Sequence, residues 1–305
     1  MSLNGKWFLS GLVFLAACFP KEEAIVPKPR VNKSVAIDAG EAKNGVAFYS
    51  LENSELLAET SPEAWDIYAD DKGFKLNFLR STRVAEFSEA WENVTDTIGL
   101  KFHYLTTDFE GIQWQLKENT NYVFDLGLDD NYVPLGFMKL SVKMIDGVFN
   151  VTHSTLSAAQ SISREFSNPY IYYSMMNDEL VELPRESTYD IVFGKYTDFV
   201  VFADEEADYL VYGTLLGNSA SFKIDKAFDD ITAADFDSVS FDFIKRTTIG
   251  WDWKTYSLEK GAYEINPNTT YLIQTKNGFK YKFRFVNFYN TQGISGHPTF
   301  EYKLI

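Results

Sequence analysis

Apolar and polar residues alternate with a period of two over much of the C-terminal part of the chain. Between Phe279 and Phe285, four aromatic residues alternate with three basic residues. This period predicts a strand with one buried face and one solvated face. Asn277-Gly278, just before that strand, supplies the positive φ angles that a tight hairpin turn requires. The run from Phe300 to Leu304 alternates in the same way, so residues 248–305 are predicted to form an antiparallel β unit.

The same pattern recurs earlier in the chain. Apolar residues alternate with polar ones from Met138 to Met144, and two short runs, Phe199 to Phe202 and Tyr209 to Tyr212, are rich in β-branched and aromatic residues. All three read as strands. Short helical turns are expected at Ala85 to Asn93 and at Asp230 to Phe236, where Asp230 is a candidate cap. The fold class is therefore predicted to be all-β.

An internal repeat is visible in the order and spacing of four motifs. The first two motifs contain Tyr49 and Trp65, which lie sixteen positions apart, as do their counterparts Tyr173 and Tyr189. The other correspondences are Thr97-Ile-Gly with Thr248-Ile-Gly, and Trp114 to Tyr122 with Tyr263 to Tyr271. Four matches in the same order predict a tandem of two related antiparallel β-sandwich-like domains, at residues 35–156 and 169–305. Residues 157–168 are the expected linker, as a short helix.

Composition excludes some classes of partner. Aromatic residues make up 16% of the chain, which favours a large β-rich core. The net charge is −15, and the Lys and Arg residues are scattered between acids. A nucleic-acid binder needs a basic face, so no nucleic-acid partner is expected. Attraction to an anionic lipid surface is disfavoured for the same reason.

The N-terminal segment predicts a lipid anchor. Lys6 precedes an apolar run, Trp7 to Ala17, that is too short to span a bilayer. Leu-Ala-Ala-Cys at its end resembles a bacterial lipobox, which implies cleavage after residue 17 and acylation of Cys18. An ordinary secretory signal with a chance cysteine is the alternative. Residues 1–17 are thus predicted to be a signal peptide and 18–34 a lipidated tether, so membrane attachment is through lipid alone.

A short charged segment after Cys18 bears on location. Lys21 is followed by Glu22 and Glu23, and this order resembles the surface-export signal of Bacteroidetes lipoproteins. The expected location is the outer membrane, on the cell surface.

Several motifs together resemble the HmuY-type haem-binding lipoproteins of Bacteroidetes. The chain has Trp65-Asp66-Ile67 with Asn77 following, and a Gly250-Trp251 segment followed by the strand Tyr263 to Ile265. Its ending, Gly296 to Tyr302, also matches. The resemblance is good from residue 170 onwards and weaker over 35–156, where it rests partly on the internal repeat.

This resemblance implies an all-β fold that captures haem for a TonB-dependent outer-membrane receptor. In the family two side chains ligate the iron, commonly a pair of histidines. One family histidine, carried over by its spacing from Trp251 and Tyr263, falls on Tyr256, and a tyrosine can bind ferric haem as phenolate. No His, Met or Cys lies between Met176 and His297, so a histidine pair within residues 169–305 is close to excluded.

The remaining candidates each have a plainer alternative. His103 ends the segment Gly99 to His103, which corresponds in the first repeat to the Gly250-Trp251 segment. It is either a displaced iron ligand or a hydrogen-bonded strand histidine. Met175 and Met176 are thioether candidates, although core packing explains either one. Trp251 and Trp253, expected on one strand face with Tyr256 past its end, line a ligand slot or belong to a core cluster.

No enzyme chemistry is indicated, because the chain has neither a nucleophile elbow nor a phosphate loop, and its three histidines lack metal-ligand spacing. No metal site is therefore expected apart from haem iron. The leading hypothesis is a surface lipoprotein that binds haem or a related porphyrin. The alternative is a non-catalytic β-sandwich adhesion or complex-subunit lipoprotein that has lost the haem site.

Overall fold

The computed structural model describes residues 32–40, 43–104, 115–129, 131–168, 170–202 and 205–305. The predicted signal peptide, Cys18 and nearly all of the predicted tether lie outside these residues. The first strand begins at Lys33, so the last two residues assigned to the tether belong to the folded part of the chain.

Strands dominate the described residues, of which 51% are in strands and 4% in helix. The predicted all-β fold is confirmed. In chain order the strands are β1 (Lys33–Ala36), β2 (Val46–Ser50), β3 (Glu55–Thr60), β4 (Ile67–Asp70), β5 (Gly73–Leu76), β6 (Arg83–Phe87), β7 (His103–Tyr104), β8 (Gln115–Leu116), β9 (Asn121–Asp125), β10 (Phe137–Ile145), β11 (Val148–Thr155), β12 (Ile162–Phe166), β13 (Ile171–Ser174), β14 (Glu179–Val181), β15 (Ile191–Phe202), β16 (Glu205–Leu216), β17 (Ser219–Asp225), β18 (Lys254–Ser257), β19 (Ala262–Ile265), β20 (Thr269–Thr275), β21 (Lys280–Tyr289) and β22 (Ser295–Leu304).

These strands form several antiparallel sheets. Their orders are β1-β22-β21-β20-β17, β12-β11-β10-β9-β6-β7, β14-β13-β4-β5-β8, β16-β15-β2-β3 and the small pair β18-β19. The strands predicted from alternation are β10, β21 and β22, and all three are present. The runs predicted at residues 199–202 and 209–212 lie in β15 and β16, which pair along their whole length.

The sheet β16-β15-β2-β3 separates two hydrophobic cores. Phe48 and Val192 point into one core, whereas their chain neighbours Ala47 and Phe193 point into the other. Every residue of β2 is buried. This explains why β2 shows no alternation in sequence, since a strand covered on both faces has no solvated side.

The hairpin between β20 and β21 turns at the predicted place, but with one positive φ angle rather than two. Gly278 has a φ of 85°, and its amide donates to the Thr275 carbonyl at 2.9 Å. A type I turn followed by a left-handed glycine needs only that one glycine.

Three local predictions are corrected by the structure. The expected helical linker at 157–168 contains β12, an edge strand that pairs with β11. Most of the turn predicted at 85–93 is strand β6 followed by a 3-10 turn, Trp91–Asn93. The helix near 230–236 is α1 (Ala233–Asp237), and its cap is Thr232 in a capping box with Asp235, not Asp230.

Strand pairing crosses the predicted boundary between the two domains. β2 pairs with β15, and β4 pairs with β13. The register is the same in both cases, because Tyr49 faces Ile191 just as Tyr173 faces Ile67. Two tandem domains are thus not evident as separate units in the described residues, and the boundaries 35–156 and 169–305 stay a prediction.

A candidate tyrosine-lined binding face

The β18–β19 hairpin, which carries Tyr256, is fixed by the backbone just before it. Gly250 pairs with Thr214 of β16 through two amide–carbonyl bonds of 2.9 and 3.1 Å. The approach is close: a Cβ on Gly213 would lie 2.6 Å from the Gly250 carbonyl oxygen. Only glycine at 213 permits this contact, which places the hairpin against the long β15–β16 hairpin.

Lys254 anchors the base of the β18–β19 hairpin. Its ammonium donates to the Tyr212 carbonyl at 2.8 Å and lies 4.2 Å from the centre of the Trp253 ring and 5.0 Å from that of Phe288. Burial lowers the pKa of this lysine to about 7. The carbonyl and the ring faces favour the charged form, so the contacts of Lys254 oppose the effect of burial.

A group of tyrosines surrounds the outer part of the hairpin. The rings of Tyr256 and Tyr263 face each other across the two strands, with centroids 5.2 Å apart in an edge-to-face arrangement. Burial is the main cause that raises the pKa of Tyr263, and four phenols add to the effect: Tyr289, Tyr256, Tyr209 and Tyr132. We call these five residues the tyrosine face. Tyr256 and Tyr289 contact Tyr263 directly, through the ring pair and through the Tyr289 hydroxyl, which accepts from the Tyr263 amide. Tyr209 and Tyr132 act on Tyr263 electrostatically.

The tyrosine face is partly open to solvent. Tyr256 is 49% exposed, Tyr209 65% and Tyr132 61%. The Lys195 ammonium lies 4.9 Å from the centre of the Tyr132 ring. Exposed phenol rings beside a cation form a surface suited to a flat, partly apolar ligand that carries negative charge.

The two tryptophans do not line this face as predicted. Both lie in the turn before β18 rather than on a strand, and Tyr256 is inside β18 instead of past a strand end. Trp253 is fully buried and stacks on Phe285 at 3.8 Å. Trp251 packs against the other core and donates its indole N–H to Asp198 at 2.8 Å. Both therefore have packing roles.

The other predicted iron ligands lie in different sheets from Tyr256. His103 is in β7, at the edge of the six-stranded sheet. Met175 follows β13 and is buried in the core that contains Phe48 and Val192, while its neighbour Met176 is 44% exposed. The structure thus does not bring His103, Met175 or Met176 into the tyrosine face.

The remaining two histidines are also engaged elsewhere. His153 is fully buried, with its Nε2 2.7 Å from the Tyr173 hydroxyl. His297 contacts the Asp38 carboxylate at 3.1 Å and the Asn290 amide at 3.2 Å. Among the described residues, no group of three or more His, Cys, Asp or Glu side chains is arranged to bind a metal ion.

Sequence reasoning found Tyr256 but missed most of the tyrosine face. Tyr132 and Tyr209 come from segments far from Tyr256 along the chain. Nothing in their local pattern distinguishes them from other aromatic residues, and only the tertiary fold places them together.

Comparison with known proteins identifies the family. The HmuY protein family matches residues 42–302 as one continuous segment. The chain belongs to the HmuY family. Because this HmuY match runs across both predicted domains, it does not show two complete HmuY units in tandem.

Three solved structures are similar over most of the chain at low identity. Apo PinO from Porphyromonas gingivitis is 10% identical, with 90% of this chain and 97% of that chain covered and a TM-score of 0.32. The HmuY-like heme binding protein from Bacteroides vulgatus is 11% identical, with 89% and 91% covered and a TM-score of 0.24. The apo HmuY analogue TFO from Tannerella forsythia is 11% identical, with 90% and 95% covered and a TM-score of 0.27. No curated protein sequence matches the chain.

Membership of the HmuY family raises the question of whether these residues fit haem. A histidine pair does not fit, because His153 and His297 are engaged elsewhere and His103 lies in another sheet. A single phenolate does fit, since Tyr256 is half-exposed on a surface of aromatic rings.

No helix within the described ranges is long and apolar enough to cross a membrane.

Proposed function

We propose that this protein is a non-catalytic lipoprotein that binds haem or a related porphyrin on its tyrosine face. The supporting observation is the half-exposed Tyr256, whose ring packs edge-to-face on that of Tyr263, in a chain of the HmuY family. When bound, haem would supply a ferric iron, and Tyr256 would hold it as phenolate. Tyr132 and Tyr209 would contact the flat macrocycle, and Lys195 would attract its carboxylates.

The proposal includes the cellular setting expected from the sequence. Acylated Cys18 would anchor the protein in the outer membrane, with the folded part on the cell surface. A TonB-dependent receptor would then accept the porphyrin. Family membership supports this setting, and a direct test is fractionation of a Cys18→Ala variant. That variant should be released from membranes, whereas unchanged fractionation would count against lipidation.

A haemin titration of the full-length protein tests the binding proposal. We expect a saturable Soret shift for wild type, with a tyrosinate-type spectrum that is lost in Tyr256→Phe. Tyr170→Phe is the matched control, because Tyr170 lies outside the tyrosine face and packs against Arg185. The absence of any saturable spectral change in either redox state would overturn the proposal.

The second candidate function is a non-catalytic adhesion or complex-subunit lipoprotein that keeps the fold without haem. The observation that favours it is the absence of His103, Met175 and Met176 from the surroundings of Tyr256. A negative haemin titration together with an intact fold would favour this candidate.

A further inference from the structure

A small cavity lies where β4, β5 and the segments around Glu186 and Arg246 meet, and Tyr256 is not among its lining residues. Its volume is about 20 Å³, which leaves room for roughly one water-sized group. Half of the residues in its wall are aromatic: Phe48, Trp65, Tyr68, Phe78, Tyr172 and Tyr189.

The charged side chains of the cavity wall form a compact network. Arg246 contacts Oε1 of Glu186 at 3.2 Å, and Lys75 donates to Oε2 of the same carboxylate. Arg246 also donates through Nε to the Leu216 carbonyl at 2.7 Å. Both oxygens of Glu186 therefore already accept from cations of the wall.

Hydrogen-bond donors exceed acceptors around the cavity. The indole N–H of Trp65 is buried and has no partner in the described part of the chain. The Tyr68 hydroxyl accepts from the Glu186 amide at 3.4 Å, and the Tyr189 hydroxyl accepts from Arg246 at 3.5 Å. Neither contact uses the proton of the phenol. A hydrogen-bond acceptor bound in the cavity would therefore pair best with these donors.

The cavity wall carries two cations, Lys75 and Arg246, and one acid, Glu186, although the whole chain carries −15. Burial alone would raise the pKa of Glu186, but Arg246, Lys75 and Lys276 outweigh it and lower that pKa to about 2. The pKa of Lys276 is itself lowered, first by burial and then by Lys72, with Lys75 and Arg246 adding to the effect. Four cations thus act on a region where Glu186 and Asp70 are the nearby acids.

We propose that this cavity binds a single monatomic anion, a halide such as chloride or bromide. The Trp65 N–H and the phenol protons would donate to the anion. Lys75 and Arg246 would supply the positive potential, and the ring edges would close the wall. This site is independent of the porphyrin proposal.

Thermal unfolding of the full-length protein tests the inference. Bromide is titrated against formate and sulfate at equal ionic strength, since both of these anions are larger than one water-sized group. We expect a saturable rise in Tm with bromide only. Trp65→Phe keeps the ring but removes the N–H, and should weaken the apparent affinity about tenfold, the value of one hydrogen bond to an anion. Lys75→Met should abolish the response.

Matched controls remove the same groups elsewhere. Trp91→Phe loses an indole far from the cavity wall, and Lys226→Met breaks the ion pair with Asp235; both should respond to bromide like wild type. Crystals soaked in bromide should show an anomalous peak between Trp65 and Arg246, a readout that does not depend on any variant folding. Identical Tm curves in all three salts, or a cavity that contains only water in the bromide crystal, would overturn the inference.

Discussion

The turn after β13 and the turn after β2 are stabilised by the same kind of aspartate contacts. Within the described contacts, only the aspartate at the first turn pairs with a cation. At the first turn, the Asp66 carboxylate accepts from the amides of Met175 and Met176 at 2.7 and 3.3 Å. Its own amide donates to the Tyr173 carbonyl at 2.9 Å. One aspartate therefore joins β4 to the end of β13.

At the second turn, Asp190 makes the same set of contacts. Its carboxylate accepts from the amides of Leu51 and Glu52 at 2.7 and 3.2 Å, and its amide donates to the Tyr49 carbonyl at 3.0 Å. Each aspartate thus stabilises the turn of the other predicted segment, and the two contacts are reciprocal.

The difference between the turns is Arg80. This fully buried arginine pairs with Oδ1 of Asp66. Burial is the main cause that raises the pKa of Asp190 to about 6, although three donors oppose it. The comparison teaches that backbone donors are enough to build the turn, and that a buried counter-charge is an addition found at only one of these two turns.

The largest effect is expected at the cation-paired turn. Asp66→Asn leaves Arg80 buried without its counter-charge, which costs about 3–5 kcal/mol of unfolding free energy. Urea unfolding at pH 7 measures the loss. The matched variant, Asp190→Asn, should cost far less because no cation loses its partner. Equal losses at the two positions would show that Arg80 does not distinguish the turns.

Asp190→Asn should instead change the pH dependence of stability. A carboxyl with a raised folded pKa binds more protons folded than unfolded, so its contribution is complete below about 3.8 and is lost as pH rises through about 6. The variant lacks this loss. Relative to wild type, it should therefore gain about 2–3 kcal/mol between pH 4 and pH 7.5, at about 1.4 kcal/mol per pKa unit. Urea unfolding at both pH values tests this, and parallel curves would contradict it.

The titration of His153, near Asp66, should lower the stability of the protein in acid. This is the opposite of the pH dependence expected from Asp190. Burial lowers the pKa of His153 below 6.5, and Arg164 adds to this while Asp178 and Asp66 oppose it. The unfolded chain then binds the proton more readily, so this contribution is complete above pH 6.5 and is lost as pH falls below it. His153→Gln should cost about 1–2 kcal/mol at pH 7, through its weaker contact with Tyr173.

The cost of His153→Gln should shrink between pH 7 and pH 5, because glutamine does not titrate. Unfolding free energies of wild type and variant at both pH values give the answer. A cost that is constant across this range would mean that His153 does not titrate differently in the folded and unfolded chain.

Sequence patterns predicted the half-buried strands but not how the sheets assemble. β10, β21 and β22 alternate because one face of each meets solvent, and this signal is local. The pairing of β2 with β15 joins residues far apart in the chain, and the paired residues of both strands are buried on two faces, so no local period indicates their partners.

The candidate site was also predictable only in part. Tyr256 follows from its spacing within a family pattern, whereas Tyr132 and Tyr209 join it only through the tertiary fold. Arg80 gives no signal in sequence either, since a lone basic residue before a polar pair usually lies on the surface. Its burial depends on Asp66, whose own position is set by pairing with another segment.

The smallest effect should fall equally on both turns. The Ser50 hydroxyl accepts from the Asn53 amide at 3.2 Å, and the Ser174 hydroxyl accepts from the Asn177 amide at the same distance. Ser50→Ala and Ser174→Ala should each cost about 1 kcal/mol, the usual net value of one such hydrogen bond.

Equal losses in the two serine variants would be the strictest evidence that the turns are alike, because neither serine contacts Arg80 among the described residues. Ser50 also lies 3.4 Å from the Asp190 carboxylate, so its loss should vary with pH where that of Ser174 does not. Urea unfolding of both variants at pH 5 and pH 7.5 separates the two contributions. A difference above about 1 kcal/mol at pH 5, where Asp190 is largely protonated, would mean that the turns differ in more than their cation.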